Sequence, residues 1–204
     1  MNKLQKIAFA LAAVSAVSLG AQENLLKFGD FENLPAGRVN MVKSMVKGGL
    51  DINRDAVCVT PGWRSKKAPS SIKIVDASAD KNAVKSGKNA LNVKTPMMHV
   101  YTQQMFPLGE YEISFAYKGK GSVGVCLYYY SAKHKHLGNS NRKANMKASA
   151  DWQTYTGKIT IAADKKEAVK ARFVFIFDSA DITIDDIVIK PVKYQNNREP
   201  QEEK

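Results

Sequence analysis

Between residues 170 and 191 the chain reads KARFVFIFDSADITIDDIVIKP, two alternating apolar runs joined by a polar turn. Phe173, Phe175 and Phe177 fall on one face of the first run, and Ile182 and Ile184 on one face of the second, because successive strand side chains point to opposite sides. The phase then breaks at two adjacent aspartates. If Ile184 points inward, alternation carries Asp186 inward; if Ile187 and Ile189 point inward, Asp185 goes with them. One carboxylate therefore lands on an apolar face, where an unpaired charge is strongly disfavoured. The pattern asks for a cation or a set of hydrogen-bond donors there, and for a bulge at Asp185 and Asp186 that aims one carboxylate at such a partner.

Further β-type runs precede this one. They are Ala56 to Thr60, Ser71 to Asp76, Asn89 to Lys94, Met97 to Phe106, Glu110 to Lys118, Ser122 to Ser131 and Gln153 to Ile161, with turn residues between them. Asn24 to Glu32 predicts a short opening strand that turns at Gly29 and Asp30. Residues 33–50 read as a loop with one short helix from about Val39 to Val46, and Lys133 to Lys147 as a long basic connection. No long amphipathic helix interrupts the series. The expected fold is all-β, a two-sheet antiparallel jelly-roll β-sandwich.

The first residues change the reading of compartment. Lys3 and Lys6 precede an apolar run from Ile7 to Val17 and small residues at Ser18, Gly20 and Ala21. This is the pattern of a cleaved signal peptide, too short to span a bilayer, so the expected organisation is a leader at 1–21, a β-sandwich at 22–192 and a polar tail at 193–204. The expected localisation is secreted or periplasmic, with no membrane span. In such a compartment Cys58 and Cys126 have two open readings, a disulfide or two small buried thiols.

The 204 residues are 44% hydrophobic and 25% charged, ordinary proportions for one globular domain, but the formal net charge is +12. An exported basic protein meets acidic polysaccharide or anionic envelope surfaces more readily than nucleic acid, so no nucleic-acid partner is expected; solubilisation alone is the plainer account of the charge.

NLLKFGDFE at 24–32, Trp63 ahead of IKIVDASAD, KSGKNALNV at 85–93, LGEYEISFAYKGKG at 108–121, ADWQTYTGKITI at 150–161 and ITIDDIVI at 182–189 occur in that order. Together they resemble the C-type cellulose-binding modules, the carbohydrate-binding group that includes families four, nine and twenty-two and has a galactose-binding-like fold. The resemblance implies a glycan site on one sheet and a structural calcium ion (Ca2+) between the opening GDFE and the closing IDD. Its ligands would come from Gly29, Glu32, Ser86, Lys88 and Asp185, with Asp30 and Asp186 as neighbours. Calcium takes six to eight oxygens from carboxylates and carbonyls, a set these residues can supply.

Strand phase nominates the ligand face. Val123, Val125, Leu127 and Tyr129 share the core side of one run, which turns Tyr128 and Tyr130 outward; Lys118 and Arg172 lie opposite the core residues of their own runs. Tyr101 and Gln103 share a face, and Trp63 sits beside a basic loop. Aromatic rings rimmed by polar groups suit sugars, whose rings are apolar on their faces and hydroxylated at their edges. Trp152 reads as packing, and His134 and His136 as loop residues without a ligand.

No nucleophile elbow, HExxH helix, phosphate loop or CxxC pair is present. The leading expectation is a secreted, non-catalytic, monomeric carbohydrate-binding protein whose partner is a polysaccharide or oligosaccharide, related to modules appended to glycoside hydrolases. Two other classes stand beside it. A jelly-roll lyase or hydrolase would gather His99, Tyr101 and Arg172 in one cleft, and a structural envelope or adhesion domain would bury its tyrosines.

Overall fold

The computed structural model describes residues 23–26, 29–32, 37–38, 50–51, 57–61, 71–78, 80–102, 104–163 and 165–194, with backbone alone at 37–38, 50–51, 57–61 and 194. The expected leader, the short helix near 39–46, Trp63, Gln103 and the residues beyond 194 lie outside the described set. The strands are β1 (Gly37–Arg38), β2 (Leu50–Asp51), β3 (Val57–Pro61), β4 (Ser71–Asp76), β5 (Asn89–Thr102), β6 (Phe106–Pro107), β7 (Gly109–Tyr130), β8 (His136–Asn139), β9 (Ala144–Lys147), β10 (Gln153–Ile161) and β11 (Lys170–Tyr194). All described pairs are antiparallel.

Alternation predicts two runs in each of β5, β7 and β11; the structure joins each pair into one strand that turns a corner. In β7 the corner falls at Gly119 (φ 129°) and Gly121 (φ 94°), backbone conformations that disfavour any side chain. Close approach reinforces the choice, since a Cβ on Gly119 would lie 2.0 Å from the Asp181 carbonyl oxygen. In β11 the same corner is marked by Ser179 at φ 47° and a register shift between Asp178 and Asp181.

The corner divides the pairing into two layers. One sheet holds β4, residues 89–95 of β5, 180–194 of β11, 109–118 of β7, and β10. The other holds β3, residues 97–102 of β5, 170–178 of β11, 122–130 of β7, and the short β8 and β9. Ring contacts show that the layers face each other: Phe115 of the first lies 5.2 Å from Phe175 of the second, and Tyr111 lies 5.8 Å from Phe173. Phe173, Phe175, Phe177, Val123, Val125, Leu127 and Tyr129 are buried in this core, as their phase requires. Each large apolar side chain buried there contributes roughly 1.5–3 kcal/mol.

Several expectations are corrected in detail. The described residues of the opening segment, 23–26 and 29–32, form no strand. They lie along the edge of β11 through Leu25 N–H to the Ile189 carbonyl (2.8 Å) and Ile187 N–H to the Gly29 carbonyl (3.0 Å). Between these rungs the Asn24 amide replaces the backbone, donating to Ile187 O and accepting from Ile189 N. The basic connection at 133–147 contains β8 and β9, which its charge disguised; Leu137, Ala144 and Met146 pack against the core from it. β11 runs to Tyr194, past the expected boundary, because Lys193 and Tyr194 still pair with Glu110 and Gly109.

The register also settles the cysteines. Cys58 pairs with Tyr101, Tyr101 with Val174, and Val174 with Cys126, so three strand spacings separate the two. At about 4.8 Å per spacing that is far beyond the reach of a disulfide. Cys126 is a free, buried thiol, its pKa pushed up to about 12 by burial. No helix among the described residues is long and apolar enough to cross a membrane.

Gly119→Ala should lower unfolding free energy by roughly 1–3 kcal/mol, the usual cost of a strained φ, in urea denaturation monitored by circular dichroism. An unchanged midpoint would show that the corner does not depend on glycine.

Candidate functional site

With Phe173, Phe175 and Phe177 turned inward, Arg172, Val174 and Ile176 point out of the second sheet. Val174, Ile176 and Cys126 form a buried apolar patch on that outer side, and Met97, Tyr101 and Tyr128 from the flanking strands pack onto it. At one end of the patch stands Arg172. Its guanidinium carbon lies 5.3 Å from the Tyr101 ring centroid and 5.5 Å from that of Tyr130, rings that come from the strands on either side. Tyr101 and Tyr128 are 6.0 Å apart, and His136 of β8 sits 5.4 Å from both Tyr128 and Tyr130. Tyr101, Tyr128, Tyr130 and Arg172 are therefore brought together as phase predicts, and His99 and His136 join them.

The electrostatics of this face follow from burial. Burial first, and then the neighbouring Cys126, Tyr130 and Tyr101, push the Tyr128 phenol well above its ordinary range. Burial and then the charge of Arg142 hold the His99 imidazole below its ordinary value. His99 Nδ1 shares a short hydrogen bond with the Tyr128 hydroxyl, whose direction follows the imidazole tautomer. The other ring nitrogen, Nε2, is buried with no hydrogen-bond partner among the described residues. Arg142 reaches this face across Gly124, where an added Cβ would come 3.3 Å from its Cδ, and ends 3.6 Å from the Asp178 carboxylate.

Lys118 does not belong to the cluster. The corner at Gly119 to Gly121 puts it on the first sheet, where it lies 5.1 Å over the Trp152 ring and donates to the Asn82 carbonyl. Trp152 Nε1 donates to the same oxygen (3.2 Å). Strand phase alone missed this because it assigns a face and not a sheet. His136 was hidden by the polar connection around it. Arg142 acts from outside any strand, where periodicity carries no signal.

The paired aspartates form a second locus. A register shift between Asp185 and Val188, with Asp186 at φ 50°, makes the expected bulge. Asp185 is fully buried, and its Oδ2 accepts from the backbone N–H of Lys85 (2.9 Å) and Ser86 (3.3 Å) while Oδ1 accepts from that of Asp186 (2.8 Å). Of the two partners the pattern asks for, N–H donors are in place. Burial still raises the Asp185 carboxyl to about 6, with the Lys85 and Asp186 N–H groups pulling it back down.

Glu32 grips the other end of the same turn: its Oε1 accepts from Lys88 N (2.7 Å) and Asn89 N (2.9 Å). Gly87, at φ 59°, leaves room for it, since a Cβ there would lie 2.4 Å from Oε1. Glu32, Ser86, Lys88 and Asp185 thus converge on one turn. Gly29 joins them through β11, its carbonyl accepting from Ile187 N. The oxygens of this group suit a hard cation by type, but turn N–H groups already occupy Asp185 Oδ2 and Glu32 Oε1, while both described bonds to Glu32 leave Oε2 out. Among the described residues no cluster of three His, Cys, Asp or Glu side chains is placed to hold a metal, so carbonyls would have to complete a shell.

No family model matches the sequence, and no curated protein matches it. Solved structures do. A cyclase from Fischerella sp. TAU, solved with (3Z)-3-(1-methyl-2-pyrrolidinylidene)-3H-indole, is 8% identical at a TM-score of 0.52, over 84% of this chain and 98% of that one. The shared fold is an antiparallel β-sandwich of two layers. The enzymatically active domain of tailspike protein 4 from bacteriophage CBA120 is 10% identical at a TM-score of 0.50; the match covers 83% of this chain, which spans only 21% of the tailspike chain. The carbohydrate-binding module TmCBM61, solved with beta-1,4-galactotriose, is 17% identical over 83% of this chain and 99% of that one, at a TM-score of 0.45. At such identities the likeness concerns the fold.

The lowered His99 value has a definite sign. Stability that depends on a neutral His99 is present above the ordinary imidazole value of 6.5 and is lost as pH falls through the lowered folded value. Between pH 7 and pH 5 the melting temperature of the wild type should therefore fall further than that of His99→Gln. Parallel curves would mean that His99 does not report on this burial.

Proposed function

We propose that this is a non-catalytic carbohydrate-binding protein, exported behind its leader, that holds a polysaccharide or oligosaccharide on the outer face of the second sheet. The observation that carries the reading is the cluster of Tyr101, Tyr128, Tyr130 and Arg172, drawn from three adjacent strands and fixed by ring contacts. It combines aromatic surface with a fixed donor, the pairing that sugar rings require. The order of motifs that resembles carbohydrate-binding modules supports the same reading, and the positive charge favours an acidic saccharide.

The lyase reading gains one observation, since Tyr101 and Arg172 meet and His99 joins them through Tyr128. Two facts weigh against it. A general base must reach a substrate proton and hold a pKa near the working pH. Burial moves the Tyr128 phenol away from that range, while His99 has Nδ1 engaged by Tyr128 and Nε2 buried. The envelope reading expects buried tyrosines. Tyr111 and Tyr129 are buried, whereas Tyr101, Tyr128 and Tyr130 are only partly buried.

We also propose that a structural calcium ion strengthens the turn at 85–89, held by Glu32, Asp185 and carbonyls at Gly29, Ser86 and Lys88. It would supply positive charge beside a carboxylate whose pKa burial raises even with its N–H partners in place.

Tyr130→Ala should weaken binding in a glycan array or affinity gel by roughly three- to tenfold, the worth of one aromatic contact, with an unchanged melting temperature. Full binding by this variant and by Tyr101→Ala would remove the face from consideration. Melting with and without a chelator tests the ion: a lower midpoint in chelator is expected for the wild type, and coincident midpoints would discard calcium. Asp185→Ala should be destabilised in either condition, by roughly 2–5 kcal/mol, because it strands several N–H donors.

A further inference from the structure

From Ala132 to Ala150 the chain carries no Asp or Glu, against Lys133, Lys135, Arg142, Lys143, Lys147 and two histidines. The fold lays this stretch out as β8 and β9, end to end along one side of β7, and among the described residues both strands pair with β7 alone. They form an edge of the second sheet beside the tyrosine face, where His136 lies 5.4 Å from the rings of Tyr128 and Tyr130. Leu137, Ala144 and Met146 pack inward, so alternation turns His136, Asn145 and Lys147 to the outer side.

Lysines on an edge strand commonly keep other chains from pairing with it. β10, an edge of the first sheet, shows how little charge that takes: its strand Gln153–Ile161 carries Lys158 alone, and Lys158 is paired with Glu110 (3.6 Å). The β8–β9 edge differs in amount and in balance. Arg142 is paired with Asp178 (3.6 Å), but Lys133, Lys135 and Lys147 are exposed and form no ion pair among the described residues. Lys170 joins the first two from β11, donating to the Ala132 carbonyl (3.4 Å). Glu167, in the neighbouring connection, is exposed and pairs with none of them.

Spacing selects the kind of anion. Lys147 stands opposite Ser122 and His136 opposite Tyr130, so the two ends of the edge are roughly 27 Å apart, at about 3.4 Å for each residue of β7 between them. A small anion can meet one end, and a linear polyanion can meet both. Between the ends, Asn139 and Asn145 turn their carbonyl oxygens to His136 (2.9 Å) and Arg142 (3.0 Å), which leaves the NH2 groups of two exposed side chains as donors for ligand oxygens.

Resting on the saccharide reading above, we infer that the partner is an acidic polysaccharide whose chain runs along the β8–β9 edge beside the tyrosine face. Its anionic groups are neutralised by Lys147 at one end and by Lys133, Lys135 and Lys170 at the other.

The test is affinity electrophoresis of the full chain in gels containing polygalacturonate, its carboxyl-reduced neutral counterpart, or single-stranded DNA, over a series of salt concentrations. The wild type should be retarded by polygalacturonate at least tenfold more strongly than by the reduced polymer, and the preference should shrink as salt rises, because lysines that neutralise a polyanion release its counterions. Lys147→Ala, and the pair Lys133→Ala with Lys135→Ala, should each weaken retardation by polygalacturonate roughly three- to tenfold and flatten its salt dependence. Lys73→Ala with Lys158→Ala removes two charges from the first sheet and should leave retardation unchanged, with thermal melts confirming that every variant folds. An equal loss from the first-sheet pair would reduce the effect to net charge, and full retardation of Lys147→Ala would detach the far end of the path; either result overturns the inference. Equal retardation by the neutral polymer would overturn it while leaving saccharide binding intact, and tighter binding to DNA than to polygalacturonate would overturn it in favour of nucleic acid. Retardation by neither saccharide would remove both readings.

Discussion

The antiparallel pairing of β7 with β11, continued through a bend that both strands make at the same level, is the constraint on which the architecture depends. Because the ladder survives the corner, the two sheets share their central strands, and the side chains before and after it must face each other across the core. Phe115 and Tyr111 meet Phe175 and Phe173 for this reason, although each pair is distant along the chain. The same bend separates the outer faces. Lys118 and Tyr128 lie on one strand and on nominally equivalent phases, yet they look out from opposite layers.

The chain ends are joined by a different means. Asp185 is buried among apolar residues and relies on backbone N–H groups of a turn one hundred residues earlier, and Glu32 relies on the neighbouring N–H groups of that turn. A turn with its N–H groups directed at two carboxylates has little freedom to move, and Gly87 supplies the conformation it needs. This clasp and the ladder beside Asn24 together hold the opening segment against the closing strand.

Much of this could be read from period-two alternation, because a half-buried strand writes its two faces directly into sequence. The core positions of β7 and β11, the bounds of β4 and β10, and the break of phase at Asp185 all follow from it. What alternation cannot encode is how runs connect in space. It assigns faces within each run, so it gives no warning that Lys118 leaves the cluster, nor that Arg142 arrives from a connection between short strands. β8 and β9 escaped because four-residue strands carry too few apolar positions to stand out against a basic background. His136 shows the cost of that loss, since its contacts with Tyr128 and Tyr130 depend on β8 being a strand at all.

The spacing of the cysteines bears on how the protein comes to be made. The chain has two, and the β-ladder holds them three strands apart, so no covalent cross-link within the molecule stands behind the fold. Backbone pairing, the aromatic core and the carboxylate clasp take its place. Maturation accordingly includes no oxidation joining Cys58 to Cys126.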